Sequence, residues 1–176
     1  MKRVIIFITI FIFTGCGGGF YYTFKTYPFS KNSFSQIKEY IAFKEMEIPD
    51  YLKQNHIAVM ENDKVKFLSA KWTEPVEAML KRESIYFFMK DDSLGVLEYP
   101  WQKDIKAKAV IKLIIEDFIY KNGKVILRGY YILKKGDKSY KKLFSYEEKS
   151  NGEPDDIVNK MQRLYLKLLK DMKEKI

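Results

Sequence analysis

An α+β fold is predicted: an antiparallel meander sheet packed by two helices, over residues 74–89 and 154–174, in a single domain. Three observations point there. Asn122-Gly123 and Gly136-Asp137 separate three β-like runs with two-residue turns. Asn-Gly is the preferred pair where both turn residues need positive φ. Ile157, Val158, Met161, Leu164, Tyr165, Leu168, Leu169 and Met172 recur at i, i+3, i+4, i+7, the stripe of an amphipathic helix. Val76, Met79, Leu80 and Phe87 repeat that spacing behind Thr73, which suits an N-cap, with Glu74 and Pro75 in the first turn.

The chain opens with a separate signal. Lys2 and Arg3 precede a ten-residue run, Val4 to Phe13, that is apolar except for Thr9. At 1.5 Å per residue it covers about half of a ~30 Å hydrocarbon core, so it is a secretory signal and not a span. Phe13-Thr14-Gly15-Cys16 resembles a bacterial lipobox, with Phe13 where Leu is usual. That resemblance implies lipidation of Cys16 on sulfur, with Cys16 as the new N-terminus. Two or more acyl chains, at ~0.8 kcal/mol per buried CH₂, anchor a protein stably. The expected organisation is therefore a lipoprotein signal peptide over 1–15, a lipidated Cys and Gly tether over 16–19, and one domain over 20–176. Gly17 stands where Asp would mark inner-membrane retention in many enteric bacteria, which favours the outer membrane. Removing Lys2 and Arg3 lowers the formal charge from +9 to +7.

Within the domain, Phe20 to Phe24 is aromatic and β-branched and reads as a first strand. Pro28 to Ser35 is a Ser- and Asn-rich loop. Ile37 to Ile48 reads as a strand stopped by Pro49, followed by a turn or short helical turn over Asp50 to Asn55. Ile57 to Met60 and Val65 to Leu68 flank Asn62-Asp63 as a hairpin. After the first helix come a loop through Gly95 and a short strand, Val96 to Tyr99. The meander runs over Lys106 to Tyr120, Lys124 to Lys134 and Tyr140 to Glu147.

Two-residue turns fix the meander's register. Lys121 faces Lys124, Asp117 faces Arg128, Phe118 faces Leu127, Leu133 faces Tyr140 and Gly129 faces Phe144. One face then carries Phe118, Val125, Leu127, Tyr131, Leu133, Tyr140 and Phe144. The other carries Leu113, Ile115, Ile126, Tyr130 and Ile132 with the Asp117–Arg128 pair. An antiparallel sheet with one wet face alternates cleanly, and neither face here is polar. Two accounts stand: other elements cover both faces, or part of the second face, around Tyr130 and Ile132, meets a partner, another subunit or lipid.

Composition narrows the chemistry. One Cys and one His exclude an internal disulfide and the usual His/Cys zinc sites. His56 begins a strand with no evident orienting partner and reads as a packed or solvated side chain. No G-x-S-x-G, P-loop or G-x-G-x-x-G pattern is present. Asp91-Asp92 reads as loop and Asp155-Asp156 as a helix start. No catalytic residue, metal site or cofactor is expected. Lys and Arg are spread along the chain without a basic stripe, so no nucleic-acid partner is expected.

Several short motifs in order carry a family resemblance: Cys16; Tyr21-Tyr22 just after the tether; Ile48-Pro49-Asp50-Tyr51-Leu52; Trp72-Thr73-Glu74-Pro75 opening a helix; and Asp117-Phe118 before the Gly123 turn and Val125-Ile126-Leu127. Over roughly Cys16 to Leu169 the chain resembles the ABC-transporter auxiliary lipoproteins of the PqiC type. It lacks the Arg that many members carry near the end of the Ile57–Met60 strand. The resemblance implies a non-enzymatic, lipid-anchored domain on the periplasmic face of the outer membrane. It further implies service to a lipid-transport system with a mammalian-cell-entry (MCE) domain protein and an ABC permease. Tyr21, Tyr22, Pro49, Tyr51, Leu52 and Trp72 join Tyr130 and Ile132 as candidate contact residues. For Tyr21 and Tyr22 a strand packed on the sheet is the alternative to an interfacial position. For Tyr51, Leu52 and Trp72 the alternative is core packing. A stand-alone lipid- or ligand-binding lipoprotein is the alternative function, and homo-oligomerisation stays open.

Overall fold

A computed structural model describes residues 19–25, 36–91, 93–102 and 104–176. The signal, Cys16, the loop of 28–35 and Asp92 lie outside the described residues.

The strands are β1 (Tyr21–Tyr22), β2 (Glu39–Glu47), β3 (His56–Glu61), β4 (Lys64–Trp72), β5 (Leu94–Glu98), β6 (Ala109–Lys121), β7 (Lys124–Lys135) and β8 (Lys138–Lys149). A 3-10 turn, Asp50–Lys53, follows β2; helix α1 is Val76–Met89 and α2 is Pro154–Lys173. All eight strands form one mixed sheet. The meander β6-β7-β8 has the expected register, including Asp117 opposite Arg128 and Gly129 opposite Phe144. Both central turn residues have positive φ at Asn62-Asp63 and at Asn122-Gly123, as I′-type turns require.

The rest of the sheet is parallel or mixed. β2 runs parallel to both β5 and β6, β1 runs parallel to β4, and β3 pairs antiparallel with β4. β6 is the hub. One edge of it pairs with β7 along its length. The other edge pairs first with β2, through Ile41–Ala109 to Glu47–Ile114, and then with β3, at Val59–Tyr120 and Met60–Lys121.

A bulge in β6 corrects the expected faces. The pairing runs Ile115–Gly129 and then Asp117–Arg128, leaving Glu116 as the extra residue. Such a residue shifts the alternation by one. Ile111, Leu113 and Ile115 therefore share the buried face with Phe118, and all four are at most 2% exposed. Leu113 and Ile115 do not lie on the second face with Tyr130 and Ile132. Glu116-Asp117, two adjacent polar residues in an apolar run, is the sequence mark of the slip.

Both helices pack on this buried face. α2 buries every residue of its stripe, and the Tyr165 and Phe118 ring centroids lie 6.4 Å apart. Phe88 of α1 meets Phe43 at 5.8 Å. α1 starts later than Thr73 and Glu74 suggest, because Pro75 itself holds the N-cap with ψ 130° and no side-chain cap. Glu74 instead pairs with Arg82. Gly95 lies within β5, where a Cβ would stand 2.6 Å from the Tyr40 ring.

Gly129 faces the bulge, and a Cβ there would stand 2.1 Å from the Ile114 carbonyl oxygen. Gly129→Ala is expected to cost about 2 kcal/mol or more of stability, measured by urea unfolding, because backbone must move to admit the methyl.

Candidate functional site

The bulge and the fork of β6 shape the second face. Past Ile114 β2 leaves, and β3 does not arrive until Tyr120. In that gap the Phe118 N–H donates to Tyr51 Oη at 3.0 Å. The 3-10 turn after Pro49 thus supplies the partner that no strand provides, as a buried backbone donor needs. Burial pushes the Tyr51 hydroxyl up to about 12. Leu52, beside it, is 1% exposed. Trp72, also 1% exposed, packs edge-on against Phe24 with centroids 6.3 Å apart. Leu52 and Trp72 are core residues and present no surface.

Tyr130 and Ile132 lie on the face away from both helices. Tyr130 stands opposite Ile114 and Leu143, and Ile132 opposite Lys112 and Lys141. Both are partly exposed. The same face carries Ile119 opposite Ile126, and on β4 Val65 and Phe67 opposite Met60 and Ala58. Leu143 is 73% exposed, Phe67 48% and Val65 38%. No described helix covers these side chains. Exposed apolar residues aligned across strands are the usual mark of a contact surface.

Several charges among them are paired. Arg128 Nε donates to Asp117 Oδ2 at 2.8 Å. Lys112 bridges Glu45 and Glu47 at 2.9 and 2.6 Å, and these hydrogen bonds hold its ammonium above its ordinary value. Lys121 meets Asp63, Lys124 meets Glu147, and Lys141 lies 3.8 Å over the Tyr130 ring.

A second cluster ties the N-terminal segment to the helices. β1 adds to β4 through Lys71 N–H to Phe20 O and Thr73 N–H to Tyr22 O, both 2.9 Å. Tyr21 stays 61% exposed, Phe24 is fully buried, and the Tyr22 hydroxyl is raised by burial and by Asp155 beside it. Gln162 grips Lys25 on both sides: Lys25 N–H donates to Oε1 at 3.1 Å, and Nε2 donates to Lys25 O at 2.8 Å. Ser84 Oγ bonds Leu80 O at 2.8 Å and Tyr165 Oη at 2.7 Å. Glu83 is 2% exposed; burial pushes its carboxyl above the ordinary value, opposed by Gln162, Lys90 and Arg82. Polar residues at the interface of two amphipathic helices gave no sequence signal, because which helices meet is a tertiary fact.

Among the described residues no group of three or more His, Cys, Asp or Glu is placed to hold a metal ion. His56 Nδ1 lies 2.8 Å from Leu68 O, across the β3–β4 hairpin.

A family model described as the ABC-type transport auxiliary lipoprotein component matches residues 22–173. The chain belongs to this family. The auxiliary lipoprotein fold recurs in two solved structures. One is the crystal structure of an uncharacterized protein, with 15% identity, a TM-score of 0.72, and coverage of 89% of this chain and 97% of that one. The other is protein XCC0632 from Xanthomonas campestris, of the DUF330 family, with 10% identity, a TM-score of 0.68, and coverage of 86% and 91%. Both share the fold. No curated protein matches.

Two predictions follow from this geometry. Asp117→Ala is expected to cost a few tenths of a kcal/mol in urea unfolding, since Arg128 is 56% and Asp117 22% exposed. For Glu83, a raised folded value means the native state holds the proton more tightly. Stability is then lost as pH rises from the unfolded value through the folded one. Glu83→Gln should therefore raise Tm near about pH 7 and leave it unchanged below about pH 4, in a thermal melt series.

Proposed function

We propose that this auxiliary lipoprotein is a non-enzymatic, membrane-anchored adaptor. It serves an ABC/MCE-type lipid-transport system that links the inner and outer membranes. The observation that carries the reading is the family match over 22–173, which spans the folded domain behind an N-terminal lipobox-like segment. In this reading residues 1–15 are removed, Cys16 carries the lipid, and the domain of 20–176 stands on the periplasmic face of the outer membrane.

Two structural features support it. From Cys16 to Tyr21 the chain reaches at most about 18 Å, five residues fully extended. Phe24, β1 and the Gln162 clamp hold the next residues to the core. An anchored domain would stay close to its membrane. The face bearing Tyr130, Ile132, Leu143 and Phe67 supplies apolar area for a protein partner, bracketed by ion pairs that would fix orientation more than affinity.

The test has two arms. Cys16→Ser should move the protein from the membrane fraction to the soluble periplasm. A photo-crosslinking residue at Tyr130 or Leu143, in cells, should capture an MCE-domain protein or ABC permease component, identified by mass spectrometry. Recovery of only peptidoglycan-associated or outer-membrane assembly proteins overturns the adaptor reading.

A further inference from the structure

On the helix side of the sheet, a cleft opens where β7, β8 and the end of α2 diverge. It has a volume of about 260 Å³ and is lined by Tyr131, Leu133, Lys135, Tyr140, Lys142 and Lys175. That is near the lower end of ligand pockets, roughly 300–1,000 Å³. Its walls combine two features.

The first is charge. Three of the six lining residues are lysines and none is acidic. Lys135 Nζ donates to a main-chain oxygen of Ile176, the last residue of the sequence, at 3.0 Å. Lys142 and Lys175 have no ion pair among the described residues. The nearby Asp171 is already engaged, accepting from Tyr146 Oη.

The second is an orphan. Tyr131 is 2% exposed, and its buried hydroxyl has no hydrogen-bond partner among the described residues. Buried hydroxyls are normally satisfied, so an unsatisfied one at a ligand-sized cleft marks a place for a missing acceptor. Leu133 and the Tyr131 and Tyr140 rings give the cleft apolar walls beneath the ammonium groups.

We propose that this cleft binds one acyl chain of an anionic phospholipid, with Lys142 and Lys175 on the phosphate and a head-group oxygen accepting from Tyr131. Lysines act on phosphate as point charges, and an apolar wall selects the chain. The cleft lies at the Lys175 end of α2, whereas Tyr22 sits by Asp155 at its other end. Twenty residues of helix place those ends about 30 Å apart. The cleft therefore lies far from the β1 end of the domain. This inference goes beyond the adaptor reading and stands on the cleft alone.

The test uses the full chain in phosphatidylcholine nanodiscs. Lysophosphatidylglycerol with a photoreactive chain is titrated against lysophosphatidylcholine with the same chain, and crosslinks are mapped by mass spectrometry. The expected result is crosslinking at Tyr131, Leu133 or Tyr140, with at least tenfold tighter binding of the anionic lipid. Lys142→Glu with Lys175→Glu, on partly or fully exposed positions, should remove that preference and leave lysophosphatidylcholine unaffected. Leu133→Trp should weaken both lipids about tenfold, with a thermal melt confirming the fold. Equal binding of the two lipids, crosslinks elsewhere, or full competition by inorganic phosphate alone overturns the proposal. Partner capture from cells does not enter this test, so the adaptor reading and the lipid site fail separately.

Discussion

One strand has to satisfy three neighbours. β6 pairs with β7 on one edge, and with β2 and then β3 on the other. Backbone groups of a buried strand need partners throughout. The changeover from β2 to β3 would leave the Phe118 N–H unmet, and Tyr51 meets it. The same few residues carry the Glu116 bulge, which brings Leu113, Ile115 and Phe118 onto one face. Gly129 is the necessary complement, because only a residue without Cβ lets β7 approach the Ile114 carbonyl there. The helices then have one continuous apolar surface to cover. The Ile-Pro-Asp-Tyr-Leu motif is thus an instrument of sheet geometry: its Pro ends β2, its Tyr caps the fork and its Leu fills the core.

The N-terminal segment joins this core at once. β1 contributes only two residues, too few to hold by pairing alone. Phe24 inserts beneath α1, its N–H directed at Met79 Sδ at 3.3 Å, and Gln162 of α2 satisfies both backbone groups of Lys25. A side-chain amide has the donor and acceptor needed to mimic a strand neighbour. The N-terminal segment is thereby tied to both helices.

Charges sit differently on two parts of the sheet. Away from the helices, apolar residues alternate with ion pairs that span adjacent strands, such as Asp117–Arg128 and Lys112 with Glu45 and Glu47. Such pairs add little stability in water but punish mismatched partners. On the helix side, near the end of α2, Lys142 and Lys175 line a cleft and have no ion pair among the described residues.

Local chemistry was legible from the sequence. The stripe of α2 needs only 3.6-residue periodicity, and all its residues are buried. The meander's turns need only Asn122-Gly123 and Gly136-Asp137, and they set the register of β6, β7 and β8 correctly. The family motifs were legible too, including Trp72-Thr73-Glu74-Pro75, although Trp72 proves to be core. What the sequence did not determine depends on elements far apart in the chain. Parallel pairing of β2 with β6 joins residues about seventy positions apart and carries no turn signal. The bulge changed which residues share a face, because period-2 reading assumes an unbroken strand. The Gln162 clamp, the buried Glu83 and the Tyr131 cleft exist only once α2 lies across the sheet. Side-chain order along the chain decides elements; contacts between elements decide which polar groups are left wanting a partner.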